Sequence, residues 1–449
     1  MNILFLSLFL LAEIALVVLT ATKFGEKTAW LKNRAIIRAV EAVLLLAVIL
    51  APFTHMEFRF YAAMSVLAIR FVFDGIMWLI KRKKANGKKK IGWSVVNCVL
   101  SVILIAVSLV PAFIFKNYNG LPTTGEYKVK ETSAILVDSG RKDPFETDGS
   151  FREVPAHFYY PENADGVYPL IIFSHGAFGY YQSNYSTYAE LVSNGYIVVA
   201  LDHPHHAFFT EDTDGKIVTV DMKFINDAIN LDNLSEEDAF KFECDSMKLR
   251  TDDENFVLDA IKSAHDGKSL NDAWHTKDAD TVLDVLAHTD TDKIGLIGHS
   301  MGGAASVALG RQRNDIGAVI DLDGTMLSER TAYENGKYVY YEEPYPVAVL
   351  DLINESHYSI REPFMNKHGY AYVNDYVVDS AEDGKTVTFI GSAHMDFTDL
   401  PLLSPILAKN FGSGDIDHEK MINTVNGIVL DWFNYYLKNE GTLDIKAQY

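Results

Sequence analysis

The chain has 449 residues, 48% hydrophobic and 12% aromatic, with Lys+Arg 40, Asp+Glu 60 and 13 prolines, which excludes disordered and fibrous classes. The length allows two to four domains. The net charge of −20 is unevenly distributed, since residues 1–116 hold 15 Lys/Arg against 5 Asp/Glu and residues 117–449 hold 25 against 55. An acidic second half repels polyanions, so nucleic acid is not expected as a partner. Cys98 and Cys244 are the only cysteines, leaving no disulfide framework and no cysteine metal site.

Four apolar stretches, 3–21, 35–53, 60–80 and 91–115, each approach or exceed the roughly 20 residues that span a bilayer. They predict an all-α transmembrane bundle over 1–116. The first stretch has no basic residue ahead of it and Lys23, Lys27, Lys32, Arg34 and Arg38 after it, the wrong polarity for a cleaved signal. Cations in the short connections set the orientation. Five lie in the first connection, seven in the third (Lys81 to Lys90) and one in the second (Pro52–Arg59). The first and third loops are therefore expected in the cytoplasm, with everything after Phe115 outside. Glu13, Glu41, Arg70 and Asp74 fall within the spans, and Arg70 and Asp74 share a helix face at a spacing of four. Such charges suggest an ion path or a bound lipid headgroup, or simply pairing that holds the bundle together.

From 117 to 449 short β-rich runs alternate with amphipathic segments. Tyr127–Val137 and Phe151–Tyr160 read as leading strands. Pro169–Phe173, Ile197–Leu201, Ile294–Ile297, Ala318–Leu322, Pro346–Leu350 and Thr386–Ile390 read as strands separated by helices, and the continuous apolar runs predict parallel strands buried on both faces. The expectation is one α/β domain with a mostly parallel central sheet. Phe208–Met247 reads as a lid-like insertion and Thr325–Tyr345 as a second long loop.

Gly298-His-Ser300-Met-Gly302-Gly303 lies between the strand at 293–297 and a helical run. A nucleophilic Ser at such a turn needs tiny neighbours two residues either side, and the helix start aims N–H groups at a developing oxyanion. Ser300 is thus the candidate nucleophile, with the Met301 N–H as one oxyanion donor. A hydrolase of this kind takes a later histidine as base. Of His357, His368, His394 and His418, only His394 sits in a short loop just past a strand. Asp321, Asp323 and Asp351 all lie near strand C-termini, and spacing does not choose among them as the acid.

Ile172-Phe-Ser-His-Gly176, the Gly298–Gly303 elbow, Ile320-Asp-Leu-Asp323 and Gly391-Ser-Ala-His394-Met-Asp-Phe397 resemble the platelet-activating-factor acetylhydrolase family, a branch of the α/β hydrolases near the dienelactone hydrolases. The resemblance covers most of 125–437 and none of the membrane section. It implies the α/β-hydrolase fold, Asp323 as acid, the Ala177 N–H as second oxyanion donor and short-chain, oxidised or lipid-like esters, phospholipids included, as substrates. His175, Phe178, His203 and Tyr340 are pocket candidates, with His175 expected to brace its loop rather than act in catalysis directly.

Other signals weigh less. Asp202-His203-Pro-His205-His206 clusters imidazoles without a partner at ligand spacing, so pocket lining is expected rather than a metal. Asp212-Thr-Asp214-Gly215 reads as a hairpin turn. The aromatic run Tyr338–Tyr345 reads either as an acyl pocket or as loop packing. Together these predict a multi-pass membrane esterase with an outward-facing catalytic domain, needing neither cofactor nor metal. The competing readings are a membrane sensor whose hydrolase-like domain binds a ligand, and an accessory domain of a small transporter.

Overall fold

The computed structural model describes residues 2–22, 26–83, 86–163 and 165–449; Lys23 and Lys84, counted above, lie outside them. The chain forms two compact units, Met1–Gly120 with Leu402–Leu407, and Leu121–Pro401 with Ala408–Tyr449.

The first unit is built on α1 (Asn2–Ala21), α2 (Lys27–Ile49), α3 (Tyr61–Lys81) and α4 (Ile91–Ser108). A separate short helix, Val110–Ile114, begins around Pro111, which lacks the N–H to continue α4. Among the described residues, three segments rather than the expected four are long and apolar enough to cross a membrane: Ile3–Ala21, Glu57–Lys81 and Ile91–Ser108. The exception is α2, which starts well before residue 35 and so takes in Lys27, Lys32, Arg34 and Arg38. Those four cations are helical and not in a connecting loop, which corrects the loop count. Arg70 and Asp74 are also partnered differently from the expected pair along α3. Arg70 Nη2 lies 2.8 Å from Glu13 Oε1, and Asp74 pairs with Arg34 and Arg38. Buried charges gain more partners across helices than along one. The unit is inverted relative to a water-soluble bundle: Glu13 and Glu41 are 2% and 1% exposed, while Ile3 and Ile69 are 73% and 69% exposed.

The second unit contains β1 (Val129–Lys142), β2 (Phe151–Pro161), β3 (Tyr168–Ser174), β4 (Ile197–Leu201) and a small hairpin, β5 (Phe209–Glu211) and β6 (Ile217–Thr219). Then come β7 (Trp274–His275), β8 (Thr289–His299), β9 (Ile316–Leu322), a second hairpin of β10 (Arg330–Glu334) and β11 (Lys337–Tyr340), β12 (Ala348–Asn354) and β13 (Gly384–Phe389). One sheet runs in the order β13-β12-β9-β8-β3-β4-β2-β1-β7. The strands from β13 to β4 are parallel, and β2, β1 and β7 form an antiparallel edge. Alternate residues feed two cores: Leu170 and Ile172 of β3 pack on one face, Ile171 and Phe173 on the other. That is why these strands read as unbroken apolar runs. The α/β-hydrolase architecture is the one expected.

The insertion does not end at Met247. It contains β5, β6 and the helix Met222–Ile229, then runs into a 32-residue helix, Glu236–Gly267, which from its middle onward buries Arg250, Asp253, Glu254, Val257, Leu258 and Ile261. Asp212 turns the β5–β6 hairpin as expected, its Oδ1 accepting from the Lys216 N–H at 2.8 Å.

Candidate active site

Ser300 sits between β8 and the helix Met301–Gln312 with φ 57° and ψ −124°, a region that strains any residue with a side chain. The flanking glycines make the turn possible. A Cβ on Gly298 would lie 2.2 Å from Gly302 C, and one on Gly302 would lie 2.0 Å from Ser174 O. The Ser300 N–H donates to Leu322 O at 2.9 Å, tying the elbow to β9.

Asp323 leaves β9 at φ 58°, one residue beyond the Leu322 that faces His299 in register. His394 follows β13 and the turn Gly391-Ser-Ala. His394 Nδ1 lies 2.7 Å from Asp323 Oδ2, and Nε2 lies 2.9 Å from Ser300 Oγ. An ionised carboxylate only accepts, so Nδ1 carries the proton and the Nε2 lone pair faces the hydroxyl. The structure thus brings together Ser300, His394 and Asp323 from the ends of three parallel strands.

Asp323 has further partners that the sequence reading missed. The Asn354 N–H donates to Oδ1 at 2.8 Å, Asn354 Nδ2 donates to Oδ2 at 2.5 Å, and His357 Nδ1 lies 3.4 Å from Oδ1. Burial would raise this carboxyl, but hydrogen bonds from His357 and His394 outweigh it and hold it well below the usual carboxylate range. His299 was also missed. Its Nε2–H donates to His394 O at 3.1 Å, and burial pushes its pKa down to about 3, so it braces the loop as a neutral ring.

The loop after β3 carries Ala177 and then Phe178 at φ 63°. The Phe178 and Gly179 N–H groups donate to His206 O at 3.1 Å and Gly176 O at 3.0 Å. His175 Nδ1–H donates to Gly176 O at 2.6 Å and its Nε2 accepts from the His203 N–H at 3.2 Å, the bracing role expected of it. Arg250 lies beneath, donating through Nη1 to His175 O at 2.5 Å and through Nε to His206 Nδ1 at 3.3 Å. Burial lowers its pKa to about 10, leaving it charged at neutral pH.

Other candidates are placed elsewhere. His203 does not line a pocket: it is fully buried, with Nε2 2.8 Å from Ser174 Oγ and Nδ1 3.0 Å from Asp253 Oδ2. Tyr340 anchors the β10–β11 hairpin through a 3.0 Å bond to Ala371 O. Phe178 packs its ring edge against Phe224 at 5.6 Å. Asp351 is in a buried pair with Arg361 at 2.6 Å. Asp321 accepts from the Gly324 N–H at 2.9 Å, and burial beside Asp351 holds its carboxyl well above the usual range. His418 lies 3.1 Å from Asp396. The aromatic run mostly packs, with Tyr345 donating to Val307 O at 2.8 Å and Tyr338 to Glu236 Oε2 at 2.8 Å.

Platelet-activating factor acetylhydrolases of Canis lupus familiaris and Bos taurus are each 26% identical to this chain, over 292 and 283 residues respectively. The first match covers 63% of this chain and 60% of the relative, the second 60% and 57%, so the chain spans about 60% of the length of these relatives. A ferulic acid esterase from Streptomyces cinnamoneus has the same fold, with a TM-score of 0.53 at 20% identity over 72% of this chain and 95% of that one. The family described as platelet-activating factor acetylhydrolase, isoform II, matches residues 149–444, a span that holds Ser300, Asp323 and His394. With well over half of its length matched, the chain belongs to the platelet-activating factor acetylhydrolase isoform II family.

Proposed function

We propose that this chain is a membrane-anchored serine carboxylic-ester hydrolase. The observation that carries the reading is the unbroken hydrogen-bond chain Ser300–His394–Asp323 at the ends of β8, β13 and β9. Ser300 Oγ attacks the ester carbonyl while His394 Nε2 takes its proton, and Asp323 fixes the tautomer and stabilises the imidazolium. The Met301 and Ala177 N–H groups hold the oxyanion, each a donor of the type whose loss costs about 3 kcal/mol. The imidazolium then protonates the departing alkoxide, leaving an acyl-enzyme. Water, deprotonated by His394, cleaves that intermediate and releases the acid.

Short-chain, oxidised or lipid-like esters, phospholipid esters among them, are the proposed substrates. Support comes from the family and from relatives bearing the acetylhydrolase name. Residues 208–247 would act as a lid, with the exposed Phe208 and Phe209 on it. Anchoring is supported by the three long apolar segments and by the apolar outer face around buried charges. The remaining connecting cations, Arg82, Lys83, Lys88, Lys89 and Lys90, favour a cytoplasmic third loop and an extracellular catalytic unit.

The test is acyl-chain profiling of the full-length protein on p-nitrophenyl esters together with labelling by a fluorophosphonate probe. Acetyl to butyryl esters should turn over, and Ser300→Ala should lose both labelling and nearly all activity. A fully active Ser300→Ala would end the proposal.

A further inference from the structure

Six ionisable side chains from three helices meet inside the first unit: Glu13, Arg34, Arg38, Glu41, Arg70 and Asp74. The carboxylates are engaged. Glu13 Oε1 takes Arg38 at 2.7 Å and Arg70 at 2.8 Å, Glu41 takes Arg38 at 2.7 Å, and Asp74 pairs with Arg34. The guanidiniums are not saturated. Among the described residues, Arg34 Nε, Arg38 Nε and Arg70 Nη1 are buried with no hydrogen-bond partner, although Arg38 Nε stands 3.5 Å from Asp74 Oδ2. Arg38 itself is only 3% exposed. All three arginines line one cavity of about 330 Å³. Buried donors without acceptors are costly, and three of them belong to arginines that line one cavity together with Glu13 and Asp74, a guanidinium-rich wall that suits an acceptor-rich anion.

The walls indicate where that anion comes from. Ile69 and Phe73 of α3 and Leu100 and Leu104 of α4 line the same cavity and are themselves 69%, 59%, 59% and 46% exposed. The cavity therefore opens sideways between α3 and α4, through an apolar mouth. Asp74 lies two turns before Lys81 at the basic end of α3, a depth of roughly 10 Å. Lys89, 4.5 Å from the ring of Trp30 on the cavity wall, adds a positive charge at that end. Arginine floor, apolar side mouth and headgroup depth occur together.

We infer that this cavity binds a phosphate-bearing group, with its acceptors on the guanidiniums of Arg34, Arg38 and Arg70. The lateral mouth makes an anionic glycerophospholipid the source, its chains lying along Ile69, Phe73, Leu100 and Leu104. The lipid source rests on the membrane-spanning reading above. The site is separate from Ser300 and requires no chemistry.

The test uses the full-length protein in mild detergent and measures binding of non-hydrolysable, ether-linked dioctyl phosphatidylglycerol, ether-linked dioctylglycerol and inorganic phosphate. Phosphatidylglycerol should bind and dioctylglycerol should not. Arg70→Gln should weaken binding roughly tenfold or more, and Ser300→Ala should leave it unchanged. Leu100→Trp, a change at the exposed mouth that touches no charge, should weaken the lipid but not inorganic phosphate, and serves if Arg70→Gln does not fold. Tight binding of phosphate alone, undiminished lipid binding by Leu100→Trp and release of the protein by alkaline carbonate would each overturn the lipid source. Equal binding of dioctylglycerol, or no loss in Arg70→Gln, would overturn the site itself. None of these results bears on the esterase, which the Ser300→Ala assay tests alone.

Discussion

Asp323, the proposed acid, is distinguished by its partners rather than by its residue type. Asp321, Asp323 and Asp351 are all buried, Asp321 and Asp323 at the end of β9 and Asp351, against the expectation of a strand end, in the middle of β12, but only Asp323 meets an imidazole that also meets a hydroxyl. Asp323→Asn should lower kcat by about 10³–10⁴-fold with the fold retained by circular dichroism, because the His394 tautomer is lost. Asp351→Asn should change kcat by roughly tenfold or less, since its contacts are Arg361 and Asn374 at 2.6 and 3.2 Å. Turnover of the two variants side by side decides the assignment. A second prediction concerns Glu254, fully buried beside Ser174 and Arg250. Burial pushes its pKa up to about 8. Between the ordinary glutamate value near 4.3 and that point the folded chain holds a proton that the unfolded chain has lost. Stability contributed by this group therefore falls as pH rises through that window. Glu254→Gln should flatten the decline of the thermal midpoint between about pH 5 and 8; an unchanged slope would place the ionisation elsewhere.

At the level of elements, the elbow is a collision avoided. The helix Met301–Gln312 runs so close to β3 that a single methyl on Gly302 would enter the Ser174 carbonyl. Gly302→Ala should cost at least about 2 kcal/mol in urea unfolding and abolish fluorophosphonate labelling. Gly427, in the helix His418–Phe433, has open space where its Cβ would go, so Gly427→Ala should be neutral or stabilising by up to about 1 kcal/mol. Similar losses in both would mean that crowding at the elbow is not the cause. The long helix Glu236–Gly267 links the segment after β4 to the site: its early turns carry the exposed Lys241–Asp245 pair, and its middle brings Arg250 under the loop after β3.

For the whole molecule, the charge asymmetry leads to a topology prediction. With Cys98 and Cys244 replaced by serine, a membrane-impermeant maleimide on intact cells should label Gln448→Cys and leave Lys88→Cys untouched until permeabilisation; the opposite pattern would reverse the orientation. The parallel sheet was legible in the sequence because each strand must bury both faces, which writes an uninterrupted apolar run such as Ile197–Leu201. The strained turn at Ser300 was legible because only glycine fits at Gly298 and Gly302, a steric demand visible in a six-residue window. His394 was legible from its short loop after a strand. The acid was not settled by spacing, since three aspartates share the same local context, and Asn354, His357, His299 and Arg250 gave no local signal. They act across distances of 31, 34, 95 and 75 residues, which only the packing of neighbouring strands and the long helix closes. The same holds in the first unit. Sequence alone determined that charges enter apolar helices, whereas tertiary structure decided their partners, because a buried charge takes whatever opposite charge a neighbouring helix sets against it, as Asp74 takes Arg34 rather than Arg70.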